Sequence, residues 1–593
     1  MRYLLAVVFA LCLAFNLYGK TEVSENETKG YFEVTYIDET PVTAPSAVDT
    51  DRGFVFFERS ILERVYRETV PKKNEIKDSV SIIIAKDEYE PVQIGLYPLK
   101  DISDAELAAT DLVDASGNKI DKSNVDIKVV RYLGQTVGLD YMKYFMVIPK
   151  TIEKMEKIDI KKGITRALWV TIKAPATAKP GKYQTEVTLK SADIKNGSFK
   201  IEVEVLPFTA VSDPKMLYAA AMTYEFNSIY NNAKDKKGSD KMWELAEKNF
   251  QDMKEHGMTT VFPHATATCL EKDGHPYLPD LEANLKLAKK VGFTKPLIWY
   301  EGPIMRSAKV KNTGNIKEYK SSVHPALAKS VTKYYDAYCA KEGYPAPIYM
   351  PIDEPGLNDG ILPGDAPDRR QKIAYELHKE VKAAGGTTWM CCTPESMQNV
   401  AGLLDWWCLA WLTPDIVAQA KEKKAKLGFY PNGAVMGHGT ISTRFQFGYY
   451  PWAMNLEAVT PWTYPISPAN APVNFMKKGE GKTKSKDSYI GLDGKPVTIV
   501  QWELVREGVD DAKYLYTLET CIKEAKAKSA SNPAIKEAEN LLASIRKDVE
   551  MDLKKYKFEH YATGEILEQK VWTPAKFDQL RKQMAELIKK LKA

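Results

Sequence analysis

Ile348–Tyr349–Met350–Pro351–Ile352–Asp353–Glu354–Pro355 reads as a short apolar strand that runs straight into two adjacent carboxylates and a proline. A long helix, from about Pro325 to Lys341, precedes it, and another spans Asp368 to Ala384. The same rhythm extends in both directions. Upstream lie the strand-like run Met216–Thr223, a helical pattern over Asp240–His256, the strand Thr259–Phe262, a helix around Leu281–Val291 and the strand Pro296–Tyr300. Downstream come Thr387–Cys392, Trp406–Trp411, a helix near Asp415–Leu427, Phe429–Tyr430 and Ala458–Trp462. Strands alternating with helices of this length indicate parallel βα units. About eight units over roughly 300 residues predict a (β/α)8 barrel rather than an open sheet. No Gly-x-Gly-x-x-Gly or Gly-x-x-x-x-Gly-Lys follows any of the strands, so a nucleotide cradle has no support.

The flanking regions read differently. Up to about Phe208 the chain is rich in short runs of Val, Ile, Thr and Tyr: Val80–Ala85, Pro91–Tyr97, Ile127–Tyr132, Ala167–Ile172, Tyr183–Leu189 and Phe199–Val205. Gly, Pro, Asp and Asn punctuate them, and Glu202–Val205 alternates with period two, which predicts a β-sandwich. Beyond Arg506 apolar residues recur at helical spacing, as in Leu580, Met584, Leu587 and Leu591, giving a helical appendage. The expected architecture is multidomain: a β-sandwich over 20–210, a barrel over 211–508 and a helical region over 509–593. At the N-terminus, Arg2, the apolar run Leu4–Leu17 and small Gly19 form the pattern of a secretory signal peptide over 1–19, cleaved near Gly19. The run is too short to span a bilayer comfortably. The expectation is an exported protein, periplasmic or secreted, with no stable membrane span.

Composition narrows the function classes. The 593 residues are 44% hydrophobic and 27% charged, ordinary for a globular protein. A net charge of +5 is small for this length and gives no basic field suited to nucleic acid. Removing the signal segment takes Cys12 and leaves six cysteines, none in a C-x-x-C pair, so neither a disulfide framework nor a zinc cluster is expected. No His/Asp/Glu cluster has metal-ligand spacing, and no cofactor or metal is expected. The sequence says nothing of oligomeric state.

In a barrel, catalytic groups sit where strands end and βα loops begin. Polar residues at those points include Tyr224, Glu225, His264, Trp299, Tyr300, Glu301, Asp353, Glu354, Arg444, Trp462, Tyr464, Trp502 and Glu503. Asp353–Glu354 is the sharpest. Burial and like-charge repulsion raise at least one carboxyl of such a pair, and a neutral carboxyl beside an ionised one can protonate a leaving oxygen. The structural alternative is a pair that caps the following helix. Neighbouring strand residues point to opposite faces, so the two do not flank one bond as acid and nucleophile. Either a second carboxylate comes from another strand, with Glu301 or Glu503 the candidates, or the substrate supplies the nucleophile. A 2-acetamido sugar can do so through its carbonyl oxygen. Eleven Trp and 32 Tyr suit a sugar ligand, and His264, Trp299, Tyr300, Glu301, Arg444, Trp462, Tyr464 and Trp502 are the candidate substrate-binding residues. Each aromatic has barrel core as its alternative, Arg444 a rim salt bridge, and His264 a structural role.

Several segments together resemble glycoside hydrolase family 123 and its uncharacterised relatives. They are Ala85–Lys86–Asp87–Glu88–Tyr89–Glu90–Pro91, Lys179–Pro180–Gly181–Lys182–Tyr183, Tyr349–Met350–Pro351–Ile352–Asp353–Glu354–Pro355, Arg444 through Trp462–Thr463–Tyr464, and Trp502–Glu503–Leu504–Val505–Arg506–Glu507–Gly508–Val509–Asp510–Asp511. They span residues 54 to 520 in the family's order. The resemblance implies a β-sandwich followed by a (β/α)8 barrel. It also implies a β-N-acetylgalactosaminidase working by substrate-assisted retaining hydrolysis, so that, with the signal pattern, the expected activity is that of an exported enzyme removing terminal β-linked N-acetylhexosamine, with N-acetylgalactosamine the expected sugar. Carried over, Asp353 orients the acetamido group and Glu354 is the general acid/base. A glycosidase of other specificity with two carboxylates, and a non-catalytic carbohydrate-binding protein, are the alternatives.

Overall fold

The computed structural model describes residues 20–26, 31–137, 144–195, 197–222, 236–264, 269–302, 325–355, 367–431, 439–464, 495–529, 531–556 and 571–593. The expected signal segment lies outside them, as do Tyr224 and Glu225. No described helix is long and apolar enough to cross a membrane.

Period-two patterning builds the N-terminal region. Phe199, Ile201, Val203 and Val205 alternate with exposed or half-exposed neighbours along the strand Gly197–Thr209, which pairs antiparallel with Gly181–Lys190. That sheet faces a second one, in which Arg166–Lys173 lies between Tyr89–Pro98 and Val125–Val137. Phe56, Ile94, Leu168, Val170, Phe199 and Ile201 fill the layer between them. The second sheet is covered on both sides, which is why Phe54, Val55, Phe56 and Phe57 are all buried. Phe57, Val130, Ile152 and Trp169 point away from the sandwich core into the cluster beneath the parallel strands and C-terminal helices. All six expected strands are present, each extended by one to five residues at its ends. Ahead of these, Lys20–Asn26 and Tyr31–Ile37 form a further antiparallel pair.

From Leu217 onward the strands are short, parallel and separated by helices. One sheet runs in the spatial order Leu217–Tyr218, Ala458–Val459, Lys426–Phe429, Trp406–Leu409, Thr387–Cys392, Ile348–Met350, Ile298–Tyr300. A second holds Phe262–Pro263, Ala221–Met222 and Trp462–Tyr464, and a bridge between His264 and Tyr300 couples the two. The expected barrel is thus met as far as two curled parallel sheets, each part of a barrel wall. Their side chains alternate between two layers. Ile298, Tyr300, Ile348, Met350, Trp389, Cys391, Trp406 and Cys408 form the inner cluster. Trp299, Tyr349, Met390, Cys392 and Trp407 face the helices. The six described cysteines form no disulfide with one another and are buried.

The C-terminal region is helical, over Val500–Lys528, Pro533–Lys547 and Pro574–Lys592. The first of these starts nine residues before the expected boundary at 509. It crosses the helix Ile441–Phe447 at a contact that only glycine permits. A Cβ on Gly508 would sit 2.6 Å from the Arg444 carbonyl oxygen and 2.7 Å from Phe447 Cβ, and one on Gly448 would sit 2.7 Å from the Gly508 carbonyl oxygen. Backbone cannot step aside as a side chain can, so Gly508→Ala is expected to cost about 1–3 kcal/mol by overpacking. Gly402→Ala, with nothing within 4 Å of its new methyl, serves as the control in thermal denaturation.

Beside this crossing lies a buried ion network. Arg444 donates to both oxygens of Asp511, at 2.7 and 3.0 Å. Arg581, from the last helix, donates to Asp511, to Glu507 at 2.8 Å and to Glu90 of the sandwich at 2.7 Å. Burial works against the Arg581 charge, but Asp511, Glu507, Glu90 and Glu88 outweigh it and hold the guanidinium charged.

Candidate active site

Asp353 and Glu354 follow the strand Ile348–Met350 and are half-buried. Glu354 has φ 41°, a left-handed backbone conformation that costs about 1 kcal/mol or more for a non-glycine residue. Its amide donates to the Cys391 carbonyl, 3.0 Å away on the neighbouring strand. The left-handed turn ends the strand alternation on which the opposite-face argument rested. The two carboxylates share their surroundings: both raise the Cys392 thiol, after burial, and Asp353 also raises Cys391.

Tyr430, next after the strand Lys426–Phe429, was read from sequence as strand only, yet it belongs to this site. Its ring is in the inner cluster. Burial pushes its phenol far above the usual tyrosine range, and the Glu354 charge is the second cause. The hydroxyl is shielded from solvent, and its hydrogen bond with Glu354 is a further cause of the shift. It is a retained proton donor beside the carboxyl pair. His264 and Tyr300 also face inward, edge to face with ring centroids 4.7 Å apart. Trp389 and Trp406, 5.4 Å apart, pack in the same inner cluster and help to fill the enclosed space.

Four expected substrate contacts are placed elsewhere. Trp299 is fully buried and faces the helices, because Ile298 and Tyr300 on either side take the inner face. Arg444 is spent on Asp511 and Glu507, a salt bridge in the core rather than at a rim. Tyr464 donates outward to Asp252 at 2.8 Å, and Trp502 donates to the same carboxylate at 2.9 Å. Trp462 lies in the strand Trp462–Tyr464, and its side chain is outside the described set.

Neither candidate for a second carboxylate joins the pair. Glu503 is buried in the long helix, bonded to Arg506 and 3.3 Å from His256 Nε2. Burial pushes its carboxyl up, but Arg506 and His256 outweigh this and hold it well below the usual range. Glu301 is fully buried beside Asp336 and Tyr349 in the helix-facing layer, with neither oxygen hydrogen-bonded among the described residues. Burial, then the Asp336 charge, holds its carboxyl well above the ordinary value. A raised carboxyl stabilises the fold below its unfolded pKa of about 4.3 and loses that stability as pH rises through the folded value. Glu301→Gln is therefore expected to keep wild-type turnover, and to melt higher than wild type at pH 8 by more than at pH 4. Melting curves at the two pH values check it.

Residues 63–191 match the family model described as the glycoside hydrolase 123 N-terminal domain. Over 90% of this chain and 97% of the other, the fold matches a family 123 glycoside hydrolase from Clostridium perfringens, studied for glycolipid glycan hydrolysis, with TM-score 0.64 and 12% identity. The chain is thus similar to family 123 glycoside hydrolases, in sequence over residues 63–191 and in fold over most of its length. A Bacteroides ovatus xyloglucanase is 9% identical to this family 123-like chain at TM-score 0.28, over 73% of it and 98% of the xyloglucanase. A family 39 glycoside hydrolase from Bacteroides cellulosilyticus WH2 is 11% identical at TM-score 0.30, over 65% and 77%. Neither carries an argument. No curated protein matches the chain.

Proposed function

We propose that the protein is an exported glycosidase that removes terminal β-linked N-acetylhexosamine, with N-acetylgalactosamine the favoured sugar, by substrate-assisted retaining hydrolysis. The observation that carries this reading is the Asp353–Glu354 pair, turned by the left-handed Glu354 beside Tyr430, with Glu301 and Glu503 both committed elsewhere. A retaining mechanism with an enzyme nucleophile needs a second carboxylate about 5–5.5 Å from the acid. With neither Glu301 nor Glu503 in that place, the acetamido carbonyl oxygen attacks C1 while Glu354 gives its proton to the departing oxygen. Asp353 accepts the acetamido N–H and offsets the positive charge of the oxazolinium ring. Glu354, now ionised and facing the Tyr430 hydroxyl, takes a proton from the water that opens the ring at C1, and configuration is retained. His264 and Tyr300 are the remaining inward candidates for sugar contacts.

The scaffold of this reading is one (β/α)8 barrel. Ala219 and Ala221 donate to the Val459 and Pro461 carbonyls, which runs the first and last strands together, and the His264–Tyr300 bridge joins the second to the third. The domain division is 20–210, 211–508 and 509–593, and export rests on the Arg2–Gly19 pattern. Sugar release from aryl β-glycosides, with the product anomer followed by NMR, tests the function. Release of N-acetylhexosamine as the β-anomer, blocked by a thiazoline analogue of the oxazolinium, is expected. Release only of sugars lacking a 2-acetamido group would overturn it. The glycolipid glycans of the Clostridium perfringens enzyme are the first natural substrates to try.

A further inference from the structure

The turn between the sandwich strands Ser79–Lys86 and Tyr89–Pro98 delivers Glu88 against the long helix Val500–Lys528. Glu88 Oε2 has two donors, the Ala85 amide and the Tyr514 hydroxyl, the latter at 2.8 Å. Asp510 lies one turn before Tyr514, so the two occupy the same side of that helix. Asp510 Oδ1 accepts from the Lys513 ammonium at 2.7 Å. That leaves Glu88 Oε1 and Asp510 Oδ2, both shut off from solvent and neither given a donor by the described residues. Their side chains are 4% and 3% exposed. Arg581 Nη1, 3.9 Å from Glu88 Oε1, is too far for a hydrogen bond.

Buried polar atoms in native proteins are normally satisfied. Nothing from outside can satisfy two oxygens that solvent does not reach, so whatever completes them is enclosed with them. The charges of the seam say what it is. Glu88, Glu90, Glu507, Asp510 and Asp511 are its acids, and Arg444, Arg581 and Lys513 are the cations bonded to them. Arg506, beside them, is bonded to Glu503 instead. On the surrounding walls Lys173 and Lys254 balance Asp87 and Glu255. Ionising every acid would therefore leave the seam with uncompensated negative charge, at a cost that a retained proton removes. Burial, then the Asp510 charge, pushes the Glu88 carboxyl up to about 7, against the pull of Arg581 and of the Ala85 and Tyr514 bonds.

A protonated Glu88 becomes a donor and gives Asp510 the hydrogen that it lacks. We propose that Glu88 and Asp510 share one proton, Glu88 Oε1 donating to Asp510 Oδ2, and that this bond fastens the sandwich to the long helix in a pH-dependent way. Deprotonation releases the proton to solvent and leaves two carboxylates facing each other. The bond stabilises the docked state in full below the unfolded carboxyl pKa of about 4.3 and is lost as the pH rises through about 7. The sandwich is thus held more tightly in mildly acidic than in alkaline surroundings. This property is independent of the chemistry proposed for Asp353 and Glu354.

Glu88→Gln supplies a donor that pH cannot remove. Its amide N–H takes the place of the Oε1 proton, while its carbonyl oxygen keeps the Ala85 and Tyr514 bonds. Amide hydrogen exchange in the strand Tyr89–Pro98 and in the helix around Asp510 reads the opening of the seam. Comparing proteins at one pH cancels most of the intrinsic exchange rate. Protection in wild type relative to Glu88→Gln is expected to fall about tenfold per pH unit between about pH 5 and 7, and to level off above. Asp510→Asn is expected to lose the same pH dependence, because its amide donates to an ionised Glu88. A ratio of wild type to Glu88→Gln that does not change with pH overturns the proposal. The wild-type slope persisting in Asp510→Asn means that Glu88 keeps its proton by burial alone, and overturns the shared bond. Should either variant fail to fold, the other decides by the same comparison with wild type.

Discussion

Glu354→Gln is expected to slow release of N-acetylhexosamine from a natural glycan by about 10²–10⁴-fold, the usual contribution of a general acid/base. Glutamine fits the same space and tolerates the same left-handed backbone, and the side chain is half-buried, so the melting temperature should stay near wild type. The loss divides by step. A nitrophenolate departs without a proton, so formation of the oxazolinium from the aryl glycoside is largely spared. Its hydrolysis still needs a base to deprotonate water, and that half-reaction becomes limiting. Azide, a nucleophile with no proton to lose, should then accelerate turnover of the variant and yield the β-glycosyl azide. Asp353→Asn should behave differently. It removes charge beside the forming ring, lowers the rate for aryl and natural substrates alike, and gains nothing from azide. Stopped assays on both substrate types, with and without azide, distinguish the roles. Glycan hydrolysis within a few-fold of wild type in Glu354→Gln would remove this residue from the mechanism.

Arg581→Met should be among the most damaging substitutions for stability. The guanidinium touches Asp511, Glu507 and Glu90 within 3.0 Å; Asp511 and Glu507 have no access to water and Glu90 is half-buried. Removing one partner of a buried ion pair leaves an uncompensated charge and costs about 3–5 kcal/mol. Arg444 already serves Asp511 and cannot also reach Glu90, so little compensation is at hand. Arg581→Lys should recover only part of the loss, since one ammonium cannot make the same forked set of bonds. Urea denaturation of the three proteins checks the order wild type, Lys, Met. A Met variant as stable as wild type would mean that the carboxylates take up protons at little cost.

The outline of the fold was legible because period two and period 3.6 leave long traces. The run Glu202–Val205 announced its inward valines, and the helix–strand rhythm after Leu217 announced parallel pairing. Of the candidate site, Asp353–Glu354 stood out in the sequence because two adjacent carboxylates at a strand end are a local pattern. Trp299 was misplaced because a three-residue strand is too short to reveal which face each side chain takes, and a shift of one residue exchanges the faces. Arg444, Trp502 and Glu503 were misread for another reason. Their partners Asp511, Asp252 and His256 lie 67, 250 and 247 residues away, a distance across which no pattern in the chain speaks. Tyr430 was passed over because an aromatic at the end of an apolar run reads as core until the neighbouring strand end is known. The left-handed backbone at Glu354 has no signature in its own residue type.

The bond between Glu90 and Arg581 joins residues 491 apart. Synthesis runs from the N-terminus, and domains generally begin to fold in that order. The sandwich strand that bears Glu90 is therefore made long before its cation exists, and until the final helix emerges its buried acids must stay hydrated or protonated. The first domain to be translated is in this sense the last to be locked, and a chain cut short before Pro574 would lose its opening segment's anchor along with its own tail.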